Sequence, residues 1–380
     1  MRKRLDYVCL QPTRQGQASF AHVTEIVAGL RTRGWDVRLV EPPLPRPGLA
    51  DGFRRLFRAA TVQLGYWLRC RFRPAEFVYI RSHFLTLPTA LFARIAGATV
   101  IQELNGPTDD IYDAWPKLRP LRPLLDFLAR SQLQMADAVV VVTPGLGDYT
   151  RTFARRNREI HVIGNGANVE LFHPSDGVAP DIAGARDGRP YVVFTGALAS
   201  WQGIDTVLAA ATSAAWPDTI DLVIAGDGKE RTRVESAARD SGGRIRWLGT
   251  VPYDDSSALV AGSVAALVPK AYAPSCAYGL SPLKLYEAMA CGVPVLASDL
   301  PGLTDTLREH DCGIVFPSGD AAALAGAVAR VAADLAAARE MGARGRAAAV
   351  AHYSWDVRSA ETERVLVGLA EAKGASAAKQ

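Results

Sequence analysis

No two cysteines in this chain stand at metal-binding spacing, neither charge sign dominates, and no apolar run reaches membrane length. The five cysteines, Cys9, Cys70, Cys276, Cys291 and Cys312, are scattered without a CxxC pair, which argues against a zinc site and against a disulfide framework. A reduced, cytoplasmic setting is expected. Lysine and arginine number 43 against 39 acidic residues, a formal net charge of +4, too mild for a dedicated nucleic-acid binder. No stretch of about 18 apolar residues is available to span a bilayer. The basic start Met1–Arg4 runs into Asp6, Gln11, Thr13 and Arg14 instead of a signal-peptide core. A heptad is absent too, as is any fixed-period repeat beyond two similar halves. The expectation is a chain that is soluble or bound to a membrane surface.

What is there is an alternation of short apolar runs and helical patterns. At 380 residues and 49% hydrophobic composition, two domains are expected. Runs at Tyr7–Leu10, Asp36–Val40, Phe77–Ile80, Thr99–Gln102 and Ala138–Val142 suit strands buried on both faces of a parallel sheet. A second series falls at Tyr191–Phe194, Asp221–Ala225, Ile245–Leu248, Ala265–Val268 and Pro294–Ala297. Between them, Pro174–Pro190 is dense in turn formers and reads as a linker. The predicted class is α/β with two Rossmann-like, doubly wound domains facing across a cleft, where the carboxyl ends of the strands meet a ligand. The expected divisions are 1–173, a linker 174–190, 191–352, and a last segment 353–380. The Ala-rich stretch Ala321–Ala351 reflects helix propensity.

The richest segment runs from Ser281 to Pro294. Ser281 can cap a helix that Pro282 opens and Gly292 ends, over about Pro282 to Cys291. Its N-terminus, with Lys284 in the first turn, is a seat for phosphate. Glu287, three residues on, can accept hydrogen bonds from two ribose hydroxyls. The competing reading is a Lys-Glu pair on an ordinary solvated helix. The Gly-x-Gly turn at Gly226 lacks the third glycine and downstream acid of a dinucleotide fingerprint, so hydride chemistry is disfavoured.

Together with Gly164–Pro174, Phe194–Gly203, Ile224–Gly228 and Trp247–Val251, in this order, the Ser281 segment resembles glycosyltransferase family 4. The resemblance covers most of the chain. It implies the GT-B architecture, transfer with retention at the anomeric carbon, and a C-terminal helix after Trp355 crossing back to the first domain. It places Glu287 at the second glutamate of the family's Glu-x7-Glu motif, whose role is ribose binding. The first glutamate falls at Gly279, so the backbone of Gly279, Leu280, Ser281, Pro282 and Leu283 is left to meet sugar and phosphates. In the Gly196 loop, Ala197 and Gln202 stand where relatives carry Arg and Lys to neutralise the diphosphate. Lys284, Lys270 or Arg14 would have to compensate, since leaving-group stabilisation is the main electrostatic task in glycosyl transfer. The resemblance also implies a base seat at Gly249 to Val251 and a role for the Gly16 loop near the diphosphate.

Glu103 and Asn105 fall where many relatives carry a histidine beside the transferred sugar. Glu103 would serve as a base if burial raised its pKa; the alternative is a loop-stabilising role. His22 reads as structural. The arginines and aromatics of Phe53–Arg73 suit an anionic membrane surface and a lipid-linked acceptor, against a solvated helix whose Arg stems cover apolar surface. No DxD motif is present, so no metal and no cofactor is expected beyond the nucleoside-diphosphate sugar donor. A non-catalytic nucleotide-sugar-binding protein and a sugar-nucleotide 2-epimerase are the alternatives to a metal-independent hexosyltransferase.

Overall fold

The computed structural model describes the chain except residues 1–2, 12, 14–16, 44–51, 155–158, 176–187 and 378–380, and except the side chains of 52–57, 113–114 and 376–377. Gly16 and Arg14, and most of the expected linker, therefore lie outside the described residues. The remainder forms two compact units, Met1–Gly164 with Arg358–Gln380, and Asn165–Val357.

The first unit holds strands β1 (Arg4–Cys9), β2 (Asp36–Val40), β3 (Phe77–Arg81), β4 (Thr99–Leu104), β5 (Ala138–Val141) and β6 (Glu159–Val162). They form one parallel sheet in the order β2-β1-β3-β4-β5-β6. Its helices are α1 (Ala18–Thr32), α2 (Gly52–Phe72), α3 (Leu87–Ile95), α4 (Asp109–Ala114), α5 (Arg122–Met135) and α6 (Pro144–Arg151). The steps from β2 to β3, β3 to β4 and β4 to β5 all run the same way across the sheet, so right-handed crossovers place α2, α3 and α5 on one face.

The second unit has β7 (Tyr191–Thr195), β8 (Asp221–Ala225), β9 (Ile245–Trp247), β10 (Ala265–Val268), β11 (Val295–Ser298) and β12 (Gly313–Phe316), again parallel, in the order β12-β11-β10-β7-β8-β9. Its helices are α7 (Ile204–Ala211), α8 (Arg231–Asp240), α9 (Tyr253–Ala261), α10 (Leu283–Ala290), α11 (Leu303–His310), α12 (Ala321–Ala333) and α13 (Leu335–His352). Strands β7, β8, β10 and β11 are almost wholly buried, as their apolar runs demand when helices cover both faces.

Two boundaries depart from the sequence-based expectation. The first unit closes at Gly164, not at His173, because Ala167 and Phe172 are fully buried in the second core. Arg346 Nη1 fixes that stretch by donating to the carbonyls of Val169, Phe172 and Ala290 at 3.0, 3.0 and 2.9 Å. The second unit extends to Val357 because Ala167 pairs with Ser354 as a parallel bridge. The last helix, α14 (Trp355–Ala377), joins the first unit from Arg358 onward. There Trp35 Nε1 donates to Glu363 Oε1 at 3.0 Å and Lys373 Nζ to the Gly97 carbonyl at 2.6 Å. All five cysteines are free and buried.

Candidate functional site

In the second sheet the strand order reverses between β7 and β10, the point at which an open α/β sheet leaves a crevice beyond its carboxyl ends. Gly196 follows β7, Lys270 follows β10, and α10 begins on the loop after β10. Gly196 is held by its N–H to the Ala225 carbonyl at 2.9 Å, and Gly226 by its N–H to the Gly249 carbonyl at 2.7 Å. A Cβ on Gly226, at φ +147°, would stand 1.8 Å from the Gly196 carbonyl oxygen, so only glycine lets these turns approach. Val251, just past Gly249, packs on the core.

Helix α10 buries Leu283, Leu285, Tyr286, Ala288, Met289 and Ala290. Each buried large apolar side chain contributes about 1.5–3 kcal/mol, so this face fixes the helix and leaves Lys284 and Glu287 on the other. Lys284 Nζ lies 4.1 Å from the centroid of the Phe194 ring and donates to Gln202 Oε1 at 3.3 Å. A Cβ on Gly196 would be 3.1 Å from the same Nζ. Burial, and after it the charge of Lys270, push the Lys284 ammonium down to about 7, with Glu287 opposing. Glu287 accepts from Tyr253 Oη at 3.1 Å, yet burial pushes its carboxyl up to about 7 against that bond and against Lys284. Both side chains keep an accessible face, so they occupy a crowded recess, not a sealed core. Two repelling cations beside a helix N-terminus make a place where an anion would relieve the strain of each.

The start of α10 differs from its sequence-based reading. The helix opens at Leu283 with Pro282 before it, and no side chain caps it. Ser281 is not the cap: its Oγ accepts the Asn165 backbone N–H at 2.9 Å and meets Tyr286 Oη at 3.1 Å, tying the start of this unit to the α10 loop. Nor do all the expected amides face outward. The Gly279 N–H donates to the Cys276 carbonyl and the Leu280 N–H to the Pro301 carbonyl, each at 2.9 Å, while Pro282 has none. The first amides of the helix, at Leu283 and Lys284, lack intrahelical carbonyls and remain for an anion. Gly279 sits at φ +84° and ψ 158°, a region reserved for glycine, so this backbone does not accommodate the family's first glutamate. Lys270 also braces the loops: its carbonyl accepts from Ser318 Oγ at 2.9 Å, and the next residue's N–H donates to the Trp201 carbonyl at 3.2 Å.

In the first unit Glu103 corrects its expectation as a base. The carboxylate is 1% exposed. His22 Nε2 lies 2.9 Å from Oε2, Tyr7 Oη donates to Oε2 at 3.2 Å, Arg81 Nη1 donates to Oε1 at 2.9 Å, and Asn105 Nδ2 donates to Oε1 at 2.6 Å. Burial works against the charge, but His22, Arg81 and Asn105 outweigh it and hold the carboxyl well below the usual range. Glu103 is an anchored anion, and Asn105 is one of its fasteners.

Sequence reasoning missed Tyr253, Phe194, Tyr7, Arg81 and Asn165. Each is brought to its partner by the fold from a distant point of the chain, so no local spacing announces it. Among the described residues no group of three or more His, Cys, Asp or Glu side chains is placed to hold a metal ion.

Two parallel six-stranded sheets, each in its own unit, define the GT-B class of glycosyltransferase fold. The sucrose-phosphate synthase from Thermosynechococcus elongatus superposes with a TM-score of 0.80 at 21% identity, over 98% of this chain and all of that one. WaaG, a glycosyltransferase involved in lipopolysaccharide biosynthesis, gives 0.68 at 15% identity, over 93% and 97%. The family described as glycosyl transferases group 1 matches residues 179–348, and the glycosyl transferase 4-like domain matches 19–166. Relatives include the alpha-maltose-1-phosphate synthase of Mycolicibacterium smegmatis, 27% identical over 88% of this chain and 91% of the relative. The phosphatidyl-myo-inositol mannosyltransferase of Mycobacterium leprae is 28% identical over 91% of each. The chain belongs to glycosyltransferase family 4.

Proposed function

We propose that this glycosyltransferase moves a hexose-like sugar, with retention and without a metal, from a nucleoside-diphosphate donor to a hydroxyl of a glycan, lipid-linked or small-molecule acceptor. It would work in the cytoplasm, at the inner face of the membrane. The reading is supported by relatives of the same family and by a similar fold, Anabaena Alr3699/HepE, solved with UDP and with UDP-glucose. The observation that carries it is Lys284, held against Phe194, Gln202 and the Gly196 turn in the field of Lys270.

In this reading the diphosphate lies over the first amides of α10, between Lys284 and Lys270, and its negative charge favours the protonated, cationic form of Lys284 as it binds. Glu287, steadied by Tyr253, accepts from the ribose hydroxyls. Gly249 and Val251 border the base, and the backbone near Gly279 and Ser281 meets the sugar. The anomeric C1–O bond to the diphosphate breaks as the acceptor oxygen bonds C1 from the same face. The acceptor proton passes to the departing phosphate oxygen, and Lys284 stabilises the charge that develops there.

The test is calorimetry with nucleoside diphosphates, with and without chelator, beside donor turnover on a panel of acceptors. Binding insensitive to chelator and turnover that collapses in Lys284→Ala are expected. Tight binding with neither transfer nor hydrolysis would make the chain a nucleotide-sugar-binding protein, the reading that Ala197, Gln202 and Gly279 favour. An epimerised donor without acceptor would identify a 2-epimerase.

A further inference from the structure

Helix α2 is apolar on two opposite sides. Ala59, Gln63, Tyr66 and Cys70 recur at intervals of 4, 3 and 4 and are buried toward the sheet. On the far side Leu64, Trp67, Leu68 and Phe72 are 56, 39, 46 and 77% exposed. Neighbouring α3 extends that surface with Leu91 and Ile95, 40 and 75% exposed. The two helices are locked together by Thr89 Oγ1 donating to Gln63 Oε1 at 3.0 Å and by the Trp67 and Phe92 rings at 5.8 Å. An exposed apolar patch of this kind marks an interaction surface, and its rim says with what. From Gly52 to Ala75 the sequence contains no acidic residue. Arg69, Arg71 and Arg73 are exposed, and among the described residues none of them reaches an acid within ion-pair distance. Arg71 lies within the apolar stripe, Arg69 between that stripe and the buried side, in the field of Asp6, and Arg73 just past the end of the helix.

We propose that this face of α2 and α3 seats the first unit on an anionic lipid bilayer, with Trp67, Phe72 and Ile95 inserted at headgroup depth. A helix lying in the interface buries its aromatic and leucine side while arginines meet lipid phosphates, and the arginine stems let the charge stay in the headgroup layer. The α2 helix meets that description while its other side is already spent on the sheet. The proposal deepens the transfer reading by presenting the acceptor on a lipid, and it rests on that reading for this point alone.

The experiment is flotation of the full chain with vesicles of phosphatidylcholine carrying 30% phosphatidylglycerol, and with phosphatidylcholine alone. Variants are Trp67→Ser/Phe72→Ser and Arg69→Gln/Arg71→Gln/Arg73→Gln, each checked by its thermal midpoint and by nucleoside-diphosphate binding. Wild type is expected to bind only the anionic vesicles, and less in high salt. Each arginine near such a surface contributes about fivefold, so the triple variant should lose roughly a hundredfold. The aromatic variant should lose binding to the same vesicles while keeping its fold and nucleotide affinity. Vesicle binding unchanged in both variants, or absent in wild type, overturns the proposal. So does a wild-type dimer that the aromatic variant dissociates in the absence of lipid, which would make this face a contact between two copies. Because nucleotide binding is read in the same samples, failure of the docking face is distinguishable from failure of the donor site.

Discussion

Two carboxylates, Glu103 in the first unit and Glu287 in the second, come from corresponding halves of a doubly wound chain and have opposite fates. Glu103 has four side-chain partners within 3.2 Å and stays charged despite complete burial. Glu287 has one hydrogen bond from Tyr253, and burial leaves its carboxyl near 7. Lys284 is undercompensated in the same way. The difference teaches how to read a buried charge: saturated by its own fold, it is scaffold; left short of partners on an accessible face, it awaits a ligand. Perturbed titration alone would have chosen both; the count of partners separates them.

The comparison can be broken most directly at Glu103. Glu103→Ala strands Arg81 and His22 without their anion, and removing one partner of a buried ion pair costs about 3–5 kcal/mol. Denaturant melts should show that loss, and full stability with lost turnover would move Glu103 into the chemistry. Next, Lys284→Ala should reduce kcat by about 10²–10³, the cost of removing one electrostatic stabiliser of a developing charge. Its melting should not fall below wild type at pH 6. The lysine's folded pKa is depressed from its unfolded value to about 7, so its charge costs stability that is fully felt below pH 7 and fades as pH rises toward the unfolded value.

Glu287→Gln should weaken donor binding by about 1.5–3 kcal/mol, the range for hydrogen bonds to a charged group, read by calorimetry. Glu287 has a folded pKa raised to about 7, so its carboxylate costs stability above pH 7 and nothing below its ordinary range. Removing that charge should therefore stabilise the unliganded protein by about 1–2 kcal/mol at pH 8, after allowance for its exposed face, and by nothing near pH 4. A destabilised variant at pH 8 would place Glu287 with Glu103. The smallest effect belongs to Tyr253→Phe, which deletes one hydrogen bond to that carboxylate. A loss of about 1 kcal/mol in donor affinity, with a further rise of the Glu287 pKa by NMR titration, is expected.

Much of this was legible before any coordinate. The fully buried strands announce themselves as unbroken apolar runs, and ten of the runs read that way coincide with strands. The sequence-based reading does not include two of the four edge strands, β6 and β12. Their exposed and half-buried positions break the apolar run that signals a buried strand. The placing of Lys284 and Glu287 on one side of a helix follows from their spacing, but their setting does not. Phe194, Gln202 and Lys270 converge on the lysine only because the strand order reverses beside them. Ser281 shows the converse: serine before a proline-led helix is a sound capping signal, and a tertiary bond from Asn165 took the hydroxyl instead. Glu103 is expected near the sugar because it falls where many relatives carry a histidine, and as a base only on the condition that burial raises its carboxyl. Of the three partners that reverse that shift, His22 and Arg81 come from outside its loop, from α1 and β3.

The burial of every cysteine has a practical corollary for labelling chemistry. The five thiols are enclosed, and burial raises those of Cys9 and Cys312 to about 11, so at neutral pH they offer maleimides little thiolate. A single cysteine introduced at the surface of α2, for example Ala60→Cys, would then carry a fluorophore alone. It would report by its emission when that helix leaves water for lipid, with no native thiol to be removed beforehand.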